Sequence, residues 1–420
     1  MIKLDDPLYF SNIRLDYRNQ SKFWNRIHAI SGDGGKFYID VAKKILQNRF
    51  VSRNGEWSTP WKQELIPGFE MPEYNPSFNK SYEQVTDERA NEIKIKIQKG
   101  DKFAVMYSGG MDSTLVLVSL LKNLTKEELE SVAICASVHS MIENPILWEK
   151  HIQGKFKIFD STKHTYDDYI HMGYRPITAD EGDCIFGTSI GLQLYHNFDY
   201  YVSELSVETQ AKLLPLRYKI SSVDIHYTVF QDIIARHLAY DTTPEGLKFG
   251  RLLYQKYHRN IQTASVPVHS LHDFFWWLIF NVKYLNCSVR GAIYFNHSIP
   301  IRKCIDSIEN WFNGGEYQQW SMVNNNNGEK IKNTLATYKY AQRRYIYDFD
   351  KNEWYFKYKT KLESLSNLLV KGKMKTEDKE IPGKLTVGLD LNYEPLHTKD
   401  YYVREYFKYH LSNYQIDWAN

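Results

Sequence analysis

The sequence predicts an α/β fold, a parallel sheet with helices on both faces, followed by a mainly helical, aromatic-rich region. Three observations point there. Between residues 99 and 225, short apolar runs of strand length alternate with helical patterns. From about residue 226 the pattern turns helical and aromatic. A chain of 420 residues, 43% of them hydrophobic, is long enough for two to three domains and apolar enough for a sizeable core.

Taken in order, residues 1–98 form a polar leader region of weak periodicity and unassigned role. Within it, Pro60 to Asn79 reads as loop and Tyr82 to Lys99 as a charged helix. Lys102 to Tyr107 (KFAVMY) reads as a short buried strand, Ser108 to Asp112 as a glycine-containing turn, and Ser113 to Asn123 (STLVLVSLLKN) as an apolar helix. Ser131 to Ser137 and Lys155 to Phe159 supply two further strands, and Tyr174 to Thr178 leads into the acidic stretch Ala179 to Gly187 (ADEGDCIFG). The resulting division is a leader over 1–98, an α/β core over 99–225 and a helical region over 226–420. Asn324 to Gly328 (NNNNG) reads as a surface loop, and SGDGG at Ser31 to Gly35 lacks the preceding apolar strand of a phosphate turn.

Composition removes several classes. The four cysteines, Cys135, Cys184, Cys287 and Cys304, are widely spaced with no CxxC pair, which argues against a zinc ribbon or dithiol site and suits a reducing compartment. His139, His151 and His171 show no metal-ligand spacing with one another. The N-terminal MIKLDDPLYF has no apolar signal stretch, and the most apolar run, Phe274 to Val282 (FFWWLIFNV), is about half of a membrane span. A cytoplasmic protein without membrane association is expected. A net charge of +3 argues weakly against general nucleic-acid binding and leaves a local basic patch open.

The informative residues are Ser108, Gly109, Gly110, Met111, Asp112, Ser113 and Thr114, reading SGGMDST between a strand and a helix. Glycines let the backbone turn sharply and bring N–H groups close to an anion, and the helix start adds unpaired donors and a positive dipole end. The hydroxyls of Ser108, Ser113 and Thr114 are candidate donors to phosphate oxygens. Asp112 beside phosphate calls for a cation between them, and magnesium is the natural one. No Gly-Lys-Ser/Thr follows the glycines, so this is not a Walker loop.

SGGMDST resembles the pyrophosphate-binding loop of the N-type ATP pyrophosphatases, a family that includes asparagine synthetase, GMP synthetase, NAD synthetase and tRNA-thiolating enzymes. The resemblance implies an adenine nucleotide alpha hydrolase-like fold. It also implies cleavage of ATP between the α and β phosphates, adenylation of a carbonyl oxygen, and displacement of AMP by a nitrogen or sulfur nucleophile.

Asp180 to Gly187 looks like the acidic loop of the asparagine synthetase synthase domain. Aligned on the Phe186-Gly187 end, Asp183 matches the family's magnesium-binding aspartate and Asp180 its catalytic glutamate, shortened by one methylene. Glu181 stands where the family has glycine, and Cys184 where it has a second glutamate, so acid–base or positioning work is shared between Asp180 and Glu181 as candidates. Both loops follow strands of a parallel sheet, from which we expect Asp112 and Asp183 to meet at one magnesium. Lys283, on the aromatic helix, is expensive to bury unless it meets an anion. Asparagine synthetases use a helical lysine ahead of an arginine and a Val-Pro-Phe segment to neutralise the adenylated intermediate. Arg290 and Ile299-Pro300-Ile301 follow here at different spacing. Glutamine-dependent members begin Met-Cys, whereas this chain begins Met1-Ile2-Lys3, so glutamine hydrolysis in cis is not expected and a separate glutaminase is a possible partner.

The expected function is therefore asparagine synthetase-like: an AMP-forming ligase that uses ATP and Mg2+, takes a small-molecule or amino-acid-like acceptor and a nitrogen donor, and forms a C–N bond. Two alternatives stand beside it. Between Leu335 and Lys375 there are ten Lys or Arg against four Asp or Glu, interleaved with tyrosines and Trp354. Such a segment either grips a polynucleotide, as in adenylation of a tRNA or DNA base, or coats a packed helical subdomain, and the second reading is preferred. The departures at Glu181 and Cys184 also allow a nucleotide-binding protein without catalysis.

Overall fold

A computed structural model describes residues 52–54, 68–161, 163–187, 206–213, 261–285, 298–324, 328–331 and 338–359, with isolated positions between 203 and 292. The chain divides into two units. One comprises Lys80–Ala179, Phe295–Trp311 and Lys339–Asn420, the other Met1–Asn79, Asp180–Tyr294 and Phe312–Tyr338.

The first unit holds the sheet. Ser81 starts helix α1 (Tyr82–Gln98) with a capping box: its hydroxyl accepts from the Gln84 N–H at 3.1 Å, and the Gln84 side chain accepts from the Ser81 N–H at 2.8 Å. Strand β1 (Lys102–Met106) runs into helix α2 (Met111–Asn123), and β2 (Val132–Ala136) and β3 (Lys157–Asp160) follow on one side of β1. Helix α3 (Tyr166–His171) precedes β4 (Tyr174–Thr178), which pairs with the other side of β1. Helix α4 (Ile301–Ser307) then leads into the two-residue β5 (Glu309–Asn310), and helices α5 (Tyr340–Asp350) and α6 (Glu353–Tyr358) close the described part. The order is β3-β2-β1-β4-β5 and every pairing is parallel. The elements expected from sequence over residues 82–178 are present, with ends within two residues of the expected ones. The sequence signals did not include β5, which at two residues is too short to carry a periodicity.

Why these runs are strands is visible in their burial. All five residues of β2 and the centre of β1 (Phe103, Ala104, Val105) are buried, the near-continuous apolar pattern of a parallel sheet covered by helices. Helix α2 is buried from Ser113 through Leu120, and α5 packs against it and against α1. At the sheet edge, Glu309 is buried. Burial alone would raise its carboxyl, but Arg89 at 2.6 Å and Lys96 at 2.7 Å hold it below the usual carboxylate range and tie α1 to β5.

The second unit is helical and aromatic. Its helix Leu271–Leu278 is opened by a Ser270–Asp273 capping box and continues as a π-helical turn, Ile279–Lys283. Trp276 stacks on Phe280 with ring centroids 5.1 Å apart, and Trp276 donates its indole N–H to Ser321 Oγ at 2.8 Å. Ser321 in turn donates to the Ile185 carbonyl at 2.6 Å, fixing the helix Gly182–Phe186 to this core. No helix among the described residues is long and apolar enough to cross a membrane. The SGDGG stretch, Arg290 and residues 360–375 of the basic segment lie outside the described residues.

Candidate functional site

Chain order places a topological switch between β1 and β4. From β1 the sheet grows through β2 and β3 on one side and through β4 and β5 on the other. Open parallel sheets bind ligands outside the carboxyl ends of their strands at such a switch. The turn Ser108–Thr114 leaves β1 at that end and enters α2.

The turn is built for close approach. Gly109 has φ 71°, a left-handed conformation that favours glycine, and a Cβ added there would lie 2.4 Å from the Ser140 carbonyl oxygen and 2.4 Å from Glu143 Cβ. Gly110 is the N-cap of α2 and brings no side-chain acceptor to its first turn, where a serine or aspartate ordinarily sits. Two serines brace the bend: Ser113 Oγ accepts from the Ser108 N–H at 3.1 Å and donates to the Gly110 carbonyl at 3.2 Å, and Ser108 Oγ accepts from the Gly110 N–H at 3.3 Å. These hydroxyls occupy the same backbone donors that an anion's oxygens would use. Thr114 behaves differently. It has no exposed surface, and its hydroxyl meets the Tyr355 hydroxyl at 3.0 Å.

Four residues that were not among the expected site residues, on α5 and α6 or at their ends, hold the turn or back it. Lys339 places its ammonium on both oxygens of Asp112, at 2.5 Å and 2.6 Å, and Gln342 donates to one of them at 3.1 Å. The lysine side chain is 3% exposed and the aspartate 25%. Lys339 is also in the left-handed region, φ 61°, at the start of α5, where a non-glycine residue costs on the order of 1 kcal/mol. Tyr355 donates to the Gly109 carbonyl at 3.2 Å, and the buried Lys359 forms an ion pair with Glu143 and donates to its carbonyl at 3.0 Å.

The donors that meet the Asp112 carboxylate include an ammonium and an amide N–H, groups that receive a carboxylate and cannot themselves ligate a magnesium ion, which needs oxygens. Among the described residues no group of three or more His, Cys, Asp or Glu is arranged to hold a metal.

The other residues expected from sequence lie in the second unit. Asp180 begins its Asp180–Tyr294 segment and is partly exposed. Glu181 is fully buried, and burial, with Asp180 beside it, pushes its carboxyl up to about 8. Solvent therefore reaches Asp180 and not Glu181. Asp183 is partly exposed in the first turn of Gly182–Phe186. Lys283 ends the π-helical turn, is 8% exposed, and its charge is felt by the buried Cys184 thiol. π-turns recur at functional positions.

An open groove of about 580 Å³ lies at the amino end of β4, lined by Gly173, Tyr174, Arg175, Pro300 and Lys303. It sits at the end of the sheet away from the turn and contains none of the expected catalytic, phosphate-binding or metal-binding residues. No protein-family model, no curated protein and no solved structure matches this chain.

Proposed function

We propose that the turn Ser108–Thr114 binds the pyrophosphate part of ATP, and that the protein is an AMP-forming, asparagine synthetase-like ligase of adenine nucleotide alpha hydrolase-like fold. One observation carries this reading: SGGMDST sits at the sheet's switch point, with a left-handed glycine and an uncapped helix start turned to the same bend. In the proposed step an acceptor carboxyl or amide oxygen attacks the α-phosphorus of ATP, the bond from the α-phosphorus to the bridging oxygen breaks, and pyrophosphate leaves. A nitrogen nucleophile then displaces AMP from the adenylated acceptor. The loop's N–H groups and the α2 dipole stabilise the negative charge gathering on the leaving group. Ser108 and Ser113 give up hydrogen bonds within the turn as phosphate oxygens take their place.

The resemblance assigns acid–base work to Asp180 or Glu181, metal binding to Asp183 and charge neutralisation to Lys283. Those residues belong to the other unit, and the loop alone carries the proposal. The polynucleotide alternative loses ground in the described part of the basic segment. Of Lys339, Arg343, Arg344, Lys351, Lys357 and Lys359, the first, second and last are buried, and Arg343 spends its guanidinium on the Phe356 carbonyl at 2.8 Å and the Lys359 carbonyl at 2.6 Å.

The test is product analysis. Incubation with ATP, amino-acid-like acceptors and ammonia or amines, followed by nucleotide chromatography, should show AMP and pyrophosphate released together. ADP and inorganic phosphate would remove the protein from this class.

A further inference from the structure

The loop carries its own counter-cation. An aspartate in the first turn of α2 puts a negative charge where the proposed site receives the most anionic part of its ligand, and that charge must be compensated. In proteins this is ordinarily done by a divalent ion bridging carboxylate and phosphate. Here an ammonium already straddles both Asp112 oxygens, with Gln342 beside it. Two features show that the arrangement is built and is not a chance surface contact. The lysine side chain is almost wholly removed from solvent, where a mobile surface lysine would not be. Its backbone is held in the left-handed region, so the fold spends strain to aim it. A divalent ion drawn onto the same two oxygens would have to sit within about 2 Å of them, against an ammonium at hydrogen-bond distance, and the two cations would repel.

We infer that Lys339 is a positioning residue that replaces a divalent metal at Asp112, so that the turn Ser108–Thr114 accepts a pyrophosphate group without magnesium on this carboxylate. The inference rests on the pyrophosphate reading of the loop given above. The Asp112–Lys339 pair is neutral as a whole, and the anion meets the backbone donors of the bend and the start of α2 without facing an uncompensated carboxylate. Asp112 then serves to hold Lys339 in place, and the metal dependence of any later chemistry lies elsewhere.

Calorimetric titration of inorganic pyrophosphate into the full chain, once with excess EDTA and once with excess magnesium chloride, tests this. The wild type is expected to bind in both, with affinities that differ by less than about tenfold. Binding that falls by more than about tenfold without magnesium overturns the inference while leaving the loop reading intact. Absence of binding in both buffers overturns the loop reading and the inference together.

Lys339→Gln should lose about 10- to 100-fold in EDTA and regain most of it with magnesium, because the exposed carboxylate now needs a metal. The neutral pair Asp112→Asn with Lys339→Gln should again bind in EDTA and ignore magnesium. A merely structural lysine would lower the melting temperature of the single variant while leaving its magnesium dependence like that of the wild type, and that result overturns the inference. The wild-type comparison stands even where Lys339→Gln does not fold.

Discussion

A Cβ on Gly109 would stand 2.4 Å from the carbonyl oxygen of Ser140, a contact that only glycine avoids. The bend after β1 is thus pressed against the helix Val138–Glu143 that follows β2, and two neighbouring crossovers of the sheet fix each other's shape. Gly109→Ala should cost about 2–4 kcal/mol, from left-handed strain plus overpacking against backbone that cannot swing away. Gly110→Ala meets only Ser108 Oγ, at 3.2 Å, and should cost far less. Urea unfolding of the two variants side by side checks this, and equal losses would show that the close approach is not the constraint.

Tyr355→Phe removes a single oxygen from a fully buried position. The Gly109 carbonyl and Thr114 Oγ1 both lose that partner, at 3.2 Å and 3.0 Å. Stability should fall by about 1–2 kcal/mol, and pyrophosphate affinity should fall too because the bend is no longer held from beneath. A variant with wild-type melting temperature and wild-type affinity would show that the hydroxyl does not brace the turn.

The strand–turn–helix around Ser108–Thr114 was legible because its signals are local: an apolar run, two glycines and an apolar helix within two dozen residues. Lys339, Tyr355 and Lys359 were not legible, since each reaches back more than 200 residues in the chain. The only trace they left was a basic, tyrosine-rich composition, which reads alike whether a lysine faces water or a buried carboxylate. In this case Lys339 and Lys359 are turned inward while Lys351 is exposed, a sorting that spacing does not encode. At the acidic loop the sequence left Asp180 and Glu181 equal, and burial separates them.

Glu181 gives a pH signature. Its carboxyl is raised to about 8 in the folded protein by burial and by Asp180, against 4.5 ordinarily. Between those values the folded chain holds a proton that the unfolded chain has lost, so this group's contribution is full below about pH 4.5 and disappears as pH rises through about 8. Glu181→Gln keeps the shape and never ionises. The melting temperature of the variant relative to wild type should therefore climb between pH 5 and pH 8, and a difference that stays flat would show that Glu181 is ionised when folded.

Lys359 and Glu143 form a buried pair, with side chains 3% and 6% exposed. Glu143 is also the residue whose Cβ crowds Gly109, so the pair sits directly behind the bend. Replacing one partner strands the other's charge away from water, whereas replacing both removes the problem. Lys359→Met should cost about 3–5 kcal/mol, while Lys359→Met combined with Glu143→Gln should cost less than Lys359→Met alone. If the pair exists only to hold the bend, the double variant should also regain most of the pyrophosphate affinity lost by Lys359→Met. Chemical denaturation of the wild type and these two variants, with parallel pyrophosphate titrations, separates these contributions. A double variant as unstable as Lys359→Met would mean that the lysine's stem packing, and not its charge, secures α6 behind the turn.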